Sequence, residues 1–390
     1  AGGSSPMAVE TTEEGTSHMR SPTLTRRHAA ATLAAGVAVS LLAAAPAAVG
    51  SQAAGDASSA PVARTVAKVS GPRGLDIGPG GTLLVSRANG SFGFVPRSGE
   101  HRGEFTRLGR VPAGFLAPAL DMNRRGQIFV LTTAGEPGAR GAATLYRWTS
   151  EEGRTKLADI AAYQQTDVDP YDLEDNPTES NPYGVAALGN GGALVADAAG
   201  NDLLRVSPDG AITTVATVMP RTVRVPRGLG EDAPPAGTRI PSEAVITSVT
   251  VGRDGSYYIG ELRGFPATPR TSQLWRVAPS AEGAICNPRR PNSGLCTRVV
   301  DDLTSVVGLQ SGPKGQIVVA ELARKGWLKA ESGDPADAIG AVRVISRDRE
   351  VRRELARGEI MMPGDVAVDR RGRIFVTAPI FGPGKILRVR

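Results

Sequence analysis

One motif returns six times along this chain and governs what the chain can fold into: a short apolar strand, a turn carrying glycine, and a second apolar strand. It reads PRGLDIGPGGTLLVSR (72–87), APALDMNRRGQIFVLTT (117–133), PYGVAALGNGGALVAD (182–197) and ITSVTVGRDGSYYIGE (246–261), then TSVVGLQSGPKGQIVVAE (304–321) and PGDVAVDRRGRIFVTA (363–378). The turn glycines are Gly81, Gly126, Gly191, Gly255, Gly315 and Gly372, spaced by 45, 65, 64, 60 and 57 residues. Glycine takes a positive φ without steric cost, so a turn such as Asp254-Gly255 is hairpin chemistry. Each hairpin is followed by a further strand, TLYRW (144–148), DLLRVS (202–207), QLWRVA (273–278), AVRVIS (341–346) or ILRVR (386–390). Several of these have a partner, such as RTKLADIA (154–161), AITTVATV (211–218) or EVRRELARG (350–358). Four strands per repeat at this period is the pattern of a propeller blade.

The two ends fix the number of blades. The last repeat stops at ILRVR, a third strand, while VARTVAKVS (62–70) matches the fourth strand that is missing. Pairing the two closes the ring and removes exposed sheet edges. The expectation is an all-β, six-bladed β-propeller of four-stranded antiparallel blades over residues 62–390. An open array or two β-sandwiches is the competing arrangement. Abundant Gly (48) and Pro (29), without long helical periodicities, agree with many short strands and turns.

Upstream of the repeats the text changes character. Residues 1–18 show no apolar periodicity and read as an upstream extension or disordered tail. Residues 19–53 run from MRSPTLTRRH through AAATLAAGVAVSLLAAAPAA, a positive segment, an apolar stretch and a small-residue exit. That is the order of a secretory signal, of either Sec or Tat type. Residues 54–61 form a short linker. A secreted or cell-envelope location follows, with no stable membrane span once the signal is removed. Cys286 and Cys296, the two cysteines of the chain, are expected to pair as a disulfide in that oxidising setting. The net charge is +6 with or without residues 1–53, which hold three basic and three acidic residues. No dense Lys/Arg run is interleaved with aromatics, so nucleic acid is not an expected partner.

Candidate functional residues follow from the repeat. The residue ending each second strand faces one end of the propeller: Arg87, Thr132, Asp197, Glu261, Glu321 and Ala378. Three consecutive blades therefore offer Asp197, Glu261 and Glu321, hard oxygen ligands suited to Ca²⁺ or another divalent cation if they converge. Otherwise each pairs with a nearby Arg or accepts backbone N–H groups. Asn181 and Tyr183 open an inner strand and Asn201 follows the second strand of the same blade; with Arg87, these complete the candidate binding face. The acidic segment 166–184 holds Asp167, Asp169, Asp172, Glu174 and Asp175 without EF-hand spacing. A second long link, 221–243, covers part of the same face or its rim. Only His101 lies within 62–390, and no G-x-S-x-G, H-E-x-x-H or P-loop occurs. Nothing near His101 suggests a nucleophile, so a Ser-His-Asp triad or a His base is not expected, which also weakens a redox-cofactor propeller.

The chain resembles the ScyD/ScyE-type exported propellers across nearly all of 62–390. The likeness is carried by Asn181-Pro182-Tyr183-Gly184, by the run from Asp197 to Val206 (DAAGNDLLRV), and by the run from Gly260 to Pro266 (GELRGFP). More distantly it is similar to NHL-repeat and gluconolactonase-like propellers. The ScyD/ScyE resemblance implies the fold and export but transfers no reaction, substrate or catalytic residue. The leading functional expectation is a monomeric, non-catalytic binding module for an extracellular small molecule, glycan or protein. The alternative is a divalent-metal-dependent hydrolase or lactonase of gluconolactonase-like type, its ion held by Asp197, Glu261 and Glu321 with help from Asn181 or Asn201.

Overall fold

The computed structural model describes residues 62–134, 139–331 and 333–390; the assignments made for 1–61 lie outside the described residues. Six four-stranded antiparallel blades form in chain order. Blade 1 is β2 (Pro72–Ile77), β3 (Leu83–Arg87), β4 (Ser91–Val95) and β5 (Thr106–Arg110). Blade 2 is β6 (Ala119–Met122), β7 (Ile128–Leu131), β8 (Thr144–Thr149) and β9 (Gly153–Asp159). Blade 3 is β10 (Pro182–Ala187), β11 (Ala193–Asp197), β12 (Asp202–Val206) and β13 (Ile212–Val218). Blade 4 is β16 (Ile246–Val251), β17 (Tyr257–Glu261), β18 (Ser272–Val277) and β20 (Cys296–Leu303). Blade 5 is β21 (Val306–Ser311), β22 (Ile317–Glu321), β23 (Ala341–Ile345) and β24 (Val351–Leu355). Blade 6 is β25 (Val366–Val368), β26 (Ile374–Ala378) and β27 (Pro383–Val389), completed by β1 (Ala63–Ser70). The N-terminal strand thus closes the ring as the repeat requires, with Ala63 opposite Val389 and Ser70 opposite Pro383.

The apolar core is divided into layers between blades, because both faces of a blade are covered. In β3, Leu84 packs toward blade 2 with Leu120 and Ile128, whereas Leu83 and Val85 pack toward blade 6 with Phe375 and Ile386. The same alternation places Phe129 and Leu131 of blade 2 against Val185 and Leu204 of blade 3. This is why the strands read as nearly continuous apolar runs instead of alternating with polar residues. The six repeat glycines all take positive φ, between 74° and 100°. Around the axis the inner strands approach closely: a Cβ on Gly74 would lie 2.7 Å from the Leu120 nitrogen, and one on Gly184 2.7 Å from the Thr247 oxygen.

Three features depart from the plain repeat. A short helix, α1 (Ile160–Gln164), follows β9, capped by Asp159, which accepts a hydrogen bond from the Ala162 N–H. A separate hairpin of β14 (Arg221–Arg224) and β15 (Arg239–Ser242) stands outside the blades within the 221–243 link. Finally, β19 (Ala284–Cys286) pairs in parallel with β13, so an excursion from blade 4 joins the outer strand of blade 3. The Cys286–Cys296 disulfide, formed as expected, ties that excursion to the start of β20. Among the described residues no helix is long and apolar enough to cross a membrane.

Candidate functional site

The strand-end column lies where the repeat puts it. Asp197, Glu261 and Glu321 stand opposite Pro182, Ile246 and Val306, the first residues of their inner strands. All three are fully buried, and each carboxylate is bonded within its own neighbourhood. Asp197 accepts hydrogen bonds from Ser180 Oγ and the Asn181 N–H, both at 2.7 Å, and from the Ala199 N–H at 3.2 Å. Glu261 accepts from Trp275 Nε1 at 2.7 Å and the Gln273 N–H at 2.9 Å, and pairs with the buried Arg263. Glu321 accepts from the Thr304 N–H at 2.9 Å and Arg343 Nε at 2.8 Å. Burial pushes all three carboxyls up, opposed by these donors. Asp197 and Glu321 thereby hold the segments that enter the inner strands of blades 3 and 5, and Glu261 ties the second strand of blade 4 to its third. Among the described residues, no group of three or more His, Cys, Asp or Glu side chains is arranged to hold a metal ion.

The other candidates are dispersed. Asn201 is buried with φ 52°, donating from Nδ2 to Asp169 at 2.9 Å and accepting the Val245 N–H at 2.7 Å; it splints the acidic segment to blade 4. Arg87 lies over the Phe105 ring at 4.9 Å. Tyr183 faces the central channel beneath the Arg73 guanidinium, 3.9 Å from its ring centroid. Of the candidate binding-face residues Arg87, Asn181, Tyr183, Asp197, Asn201, Glu261 and Glu321, Asn181 is the one that lines the acidic cavity on this face.

The channel carries charges that the sequence reading did not single out. Arg73 is buried at one end and donates to the carbonyls of Ala117 and Tyr183. Asp76 accepts the Met122 N–H at 3.1 Å, and Asp121 accepts the Ala187 N–H at 2.7 Å, so each carboxyl reaches to the next blade's inner strand. Asp365 does the same from blade 6, accepting the Leu75 N–H at 3.1 Å. Burial, then the neighbouring Asp121, raise the Asp76 carboxyl well above its ordinary value, and burial raises Asp121. Burial pushes Asp365 up to about 7. The signal was present as an Asp inside the apolar strands GLDI, ALDM and GDVAV. These carboxyls fasten blade to blade around the central channel.

A second cavity opens on the face expected from the repeat. Its walls come from residues entering the inner strands (Asn181, Val245) and leaving the second strands (Ala198, Leu262), with Phe265 and Trp327. The acidic segment folds over it through its own carboxylates: Asp172 accepts the N–H groups of Glu174 at 3.1 Å and Asn176 at 2.9 Å. Glu243, at the end of the 221–243 link, anchors that segment by accepting the Leu173 N–H at 2.6 Å. Asp172, Glu174, Glu179 and Glu243 all line the cavity, with no Lys, Arg or His among its lining residues. Glu179 accepts from Asn176 Nδ2 at 2.9 Å, whereas the Glu174 carboxyl has no hydrogen-bond partner among the described residues. Burial, then Glu179 and Asp172, push Glu174 up to about 7. Burial, then the negative charges of Glu174, Asp169 and Asp172, push Glu243 up to about 8 despite its backbone bond.

No family model matches the chain, and no curated protein matches it. Among solved structures it is similar to a glucose dehydrogenase, at 11% identity and a TM-score of 0.51, over 85% of this chain and 99% of that one. It is also similar to a PQQ-bound aldose sugar dehydrogenase from Streptomyces coelicolor, at 14% identity and a TM-score of 0.49, over 84% and 97%. A streptogramin B lyase aligns at 14% identity and a TM-score of 0.44, over 84% and 97%. At these identities the first likeness bears on architecture alone: the chain is a six-bladed β-propeller with a disulfide-stitched seam between blades 3 and 4.

Proposed function

We propose that this chain is an extracytoplasmic, non-catalytic binding propeller of ScyD/ScyE type that captures a small organic cation in the acidic cavity between blades 3 and 4. One observation carries the reading: four carboxyl groups face a cavity whose lining contains no cation. Like charges held together in a partly dry site keep their protons. A bound ammonium group reverses that preference, so capture of an amine draws Glu174 and Glu243 into their ionised forms. Phe265 on the same wall offers an apolar surface for the ligand's carbon skeleton. The signal-like leader and the disulfide support a location outside the cytoplasm.

The alternative, a metal-dependent hydrolase or lactonase, needs Asp197, Glu261 and Glu321 around one ion. It has less support because each is bonded within its own blade. One melting series addresses both readings, since a ligand that binds only the native state raises Tm. Putrescine is expected to raise the Tm of the wild type and not of Glu243→Gln. A rise with Ca²⁺ that EDTA abolishes, together with lactone turnover and no response to putrescine, would replace the binding reading.

A further inference from the structure

The β14–β15 hairpin belongs to no blade, and its two sides differ sharply. Val223 and Val225 are buried against the body, while Arg224 between them points outward and is exposed. Arg239, also exposed, is the direct cross-strand partner of Arg224. Like charges placed opposite one another weaken a hairpin. Glu231 and Asp232 occur in the connecting loop, yet no ion pair forms with either arginine among the described residues. At the root of the hairpin the pattern is the reverse: Arg221 pairs with Asp301 at 2.8 Å, and the neighbouring Arg270 with Asp302 at 2.6 Å. Arg224 spends one donor on the Gly237 carbonyl and keeps the rest of its guanidinium free. Arg227, exposed in the loop, adds a third positive charge.

We propose that this arm is a docking surface for an acidic polysaccharide, whose carboxylate or sulfate groups are held between Arg224 and Arg239. The planar guanidinium fork suits such groups, and two forks facing one another suit a repeating anion. Residues 221–242 contain no Phe, Tyr, Trp or His on which a base could stack, which disfavours single-stranded nucleic acid. Among the described residues the exposed large apolar side chains are Val62, Val168, Ile285 and Leu295, none on the arm, so the arm lacks the apolar and aromatic anchors of a protein interface. This surface is separate from the acidic cavity, and the inference does not depend on a ligand there.

The test measures retention of the folded protein on immobilised heparin and on immobilised polygalacturonate, at physiological salt and over a salt gradient. Arg224→Ala/Arg239→Ala is compared with Arg289→Ala/Arg290→Ala, an exposed pair elsewhere that removes the same charge. The arm variant is expected to lose retention at physiological salt, with the control eluting like the wild type and the arm variant melting no lower than wild type. Retention on one matrix alone supports the proposal and identifies the group as sulfate or carboxylate. Equal loss in both variants, no retention of the wild type on either matrix, or equally effective competition by a single-stranded oligonucleotide overturns it.

Discussion

Two sets of carboxyl groups share one face of this propeller, and the protein treats them in opposite ways. Asp197, Glu261 and Glu321 are sealed from solvent and bonded by donors from the segments and strands beside them. Asp172, Glu174, Glu179 and Glu243 border open space, and their cavity contains no compensating cation. The first set is structural in consequence, because a buried carboxylate with its donors in place has no capacity left for a ligand. The second keeps capacity in reserve. The two are joined through Arg263, which pairs with Glu261 and donates to the backbone carbonyls of Ser242 and Glu243, at 3.1 and 2.9 Å. One set therefore positions the other.

The largest expected effect breaks that joint. Glu261→Ala leaves Arg263 buried without its counterion, and loss of one partner of a buried pair costs about 3–5 kcal/mol. Denaturant unfolding measures it; a loss below about 1 kcal/mol would show that the pair is not the scaffold. Next comes the seam between the outer strands of blades 3 and 4. Cys286→Ser/Cys296→Ser frees β19 from β20, and loss of a native disulfide typically costs about 2–4 kcal/mol. Unfolding under matched conditions checks it, with unchanged stability counting against a stitching role.

The pH dependence sharpens the comparison further. Glu174 and Glu243 have folded-state pKa values raised above the ordinary 4.5, to about 7 and about 8. The folded state therefore holds more protons than the unfolded state between those limits, and stability falls as pH rises from about 4.5 to about 8. Glu243→Gln is expected to flatten that slope in Tm measurements between pH 5 and 9. An unchanged slope would mean that the cavity carboxyls titrate normally. The smallest effect on stability belongs to Glu174→Gln measured near pH 5, where the raised pKa keeps the carboxyl protonated in the folded state and Gln replaces it without a change of charge: within about 0.5 kcal/mol of wild type, yet with weaker putrescine binding by calorimetry at neutral pH.

Much of the fold was legible because the repeat is chemical as well as periodic. Each turn needs a glycine, each inner strand needs small residues at the axis, and the unpaired third strand at the C-terminus needs β1. The strand-end column was legible for the same reason, since the period places Asp197, Glu261 and Glu321 at equivalent registers. Their partners were not. Arg263 lies two residues from Glu261 in sequence, but its bonds to Ser242 and Glu243 depend on where the 221–243 link returns. The cavity was legible only in part: Asp172 and Glu174 stood out as an acidic segment, whereas Glu243 looked like the end of a rim loop. Only folding brings its carboxyl to the Leu173 N–H. The channel aspartates were visible as polar residues inside apolar strands, a signal that a search for surface clusters passes over.

The most direct test of the difference between the two carboxyl sets is a ¹³C NMR titration of the glutamate side-chain carboxyls from pH 4 to 10. Spectra of the wild type, Glu174→Gln and Glu243→Gln assign the resonances. Glu174 and Glu243 titrating near 7 and 8, both moving to lower pH when putrescine is added, are the expected result. Glutamates at these two positions that titrate below about 5, or that ignore the amine, would contradict the cation-binding cavity.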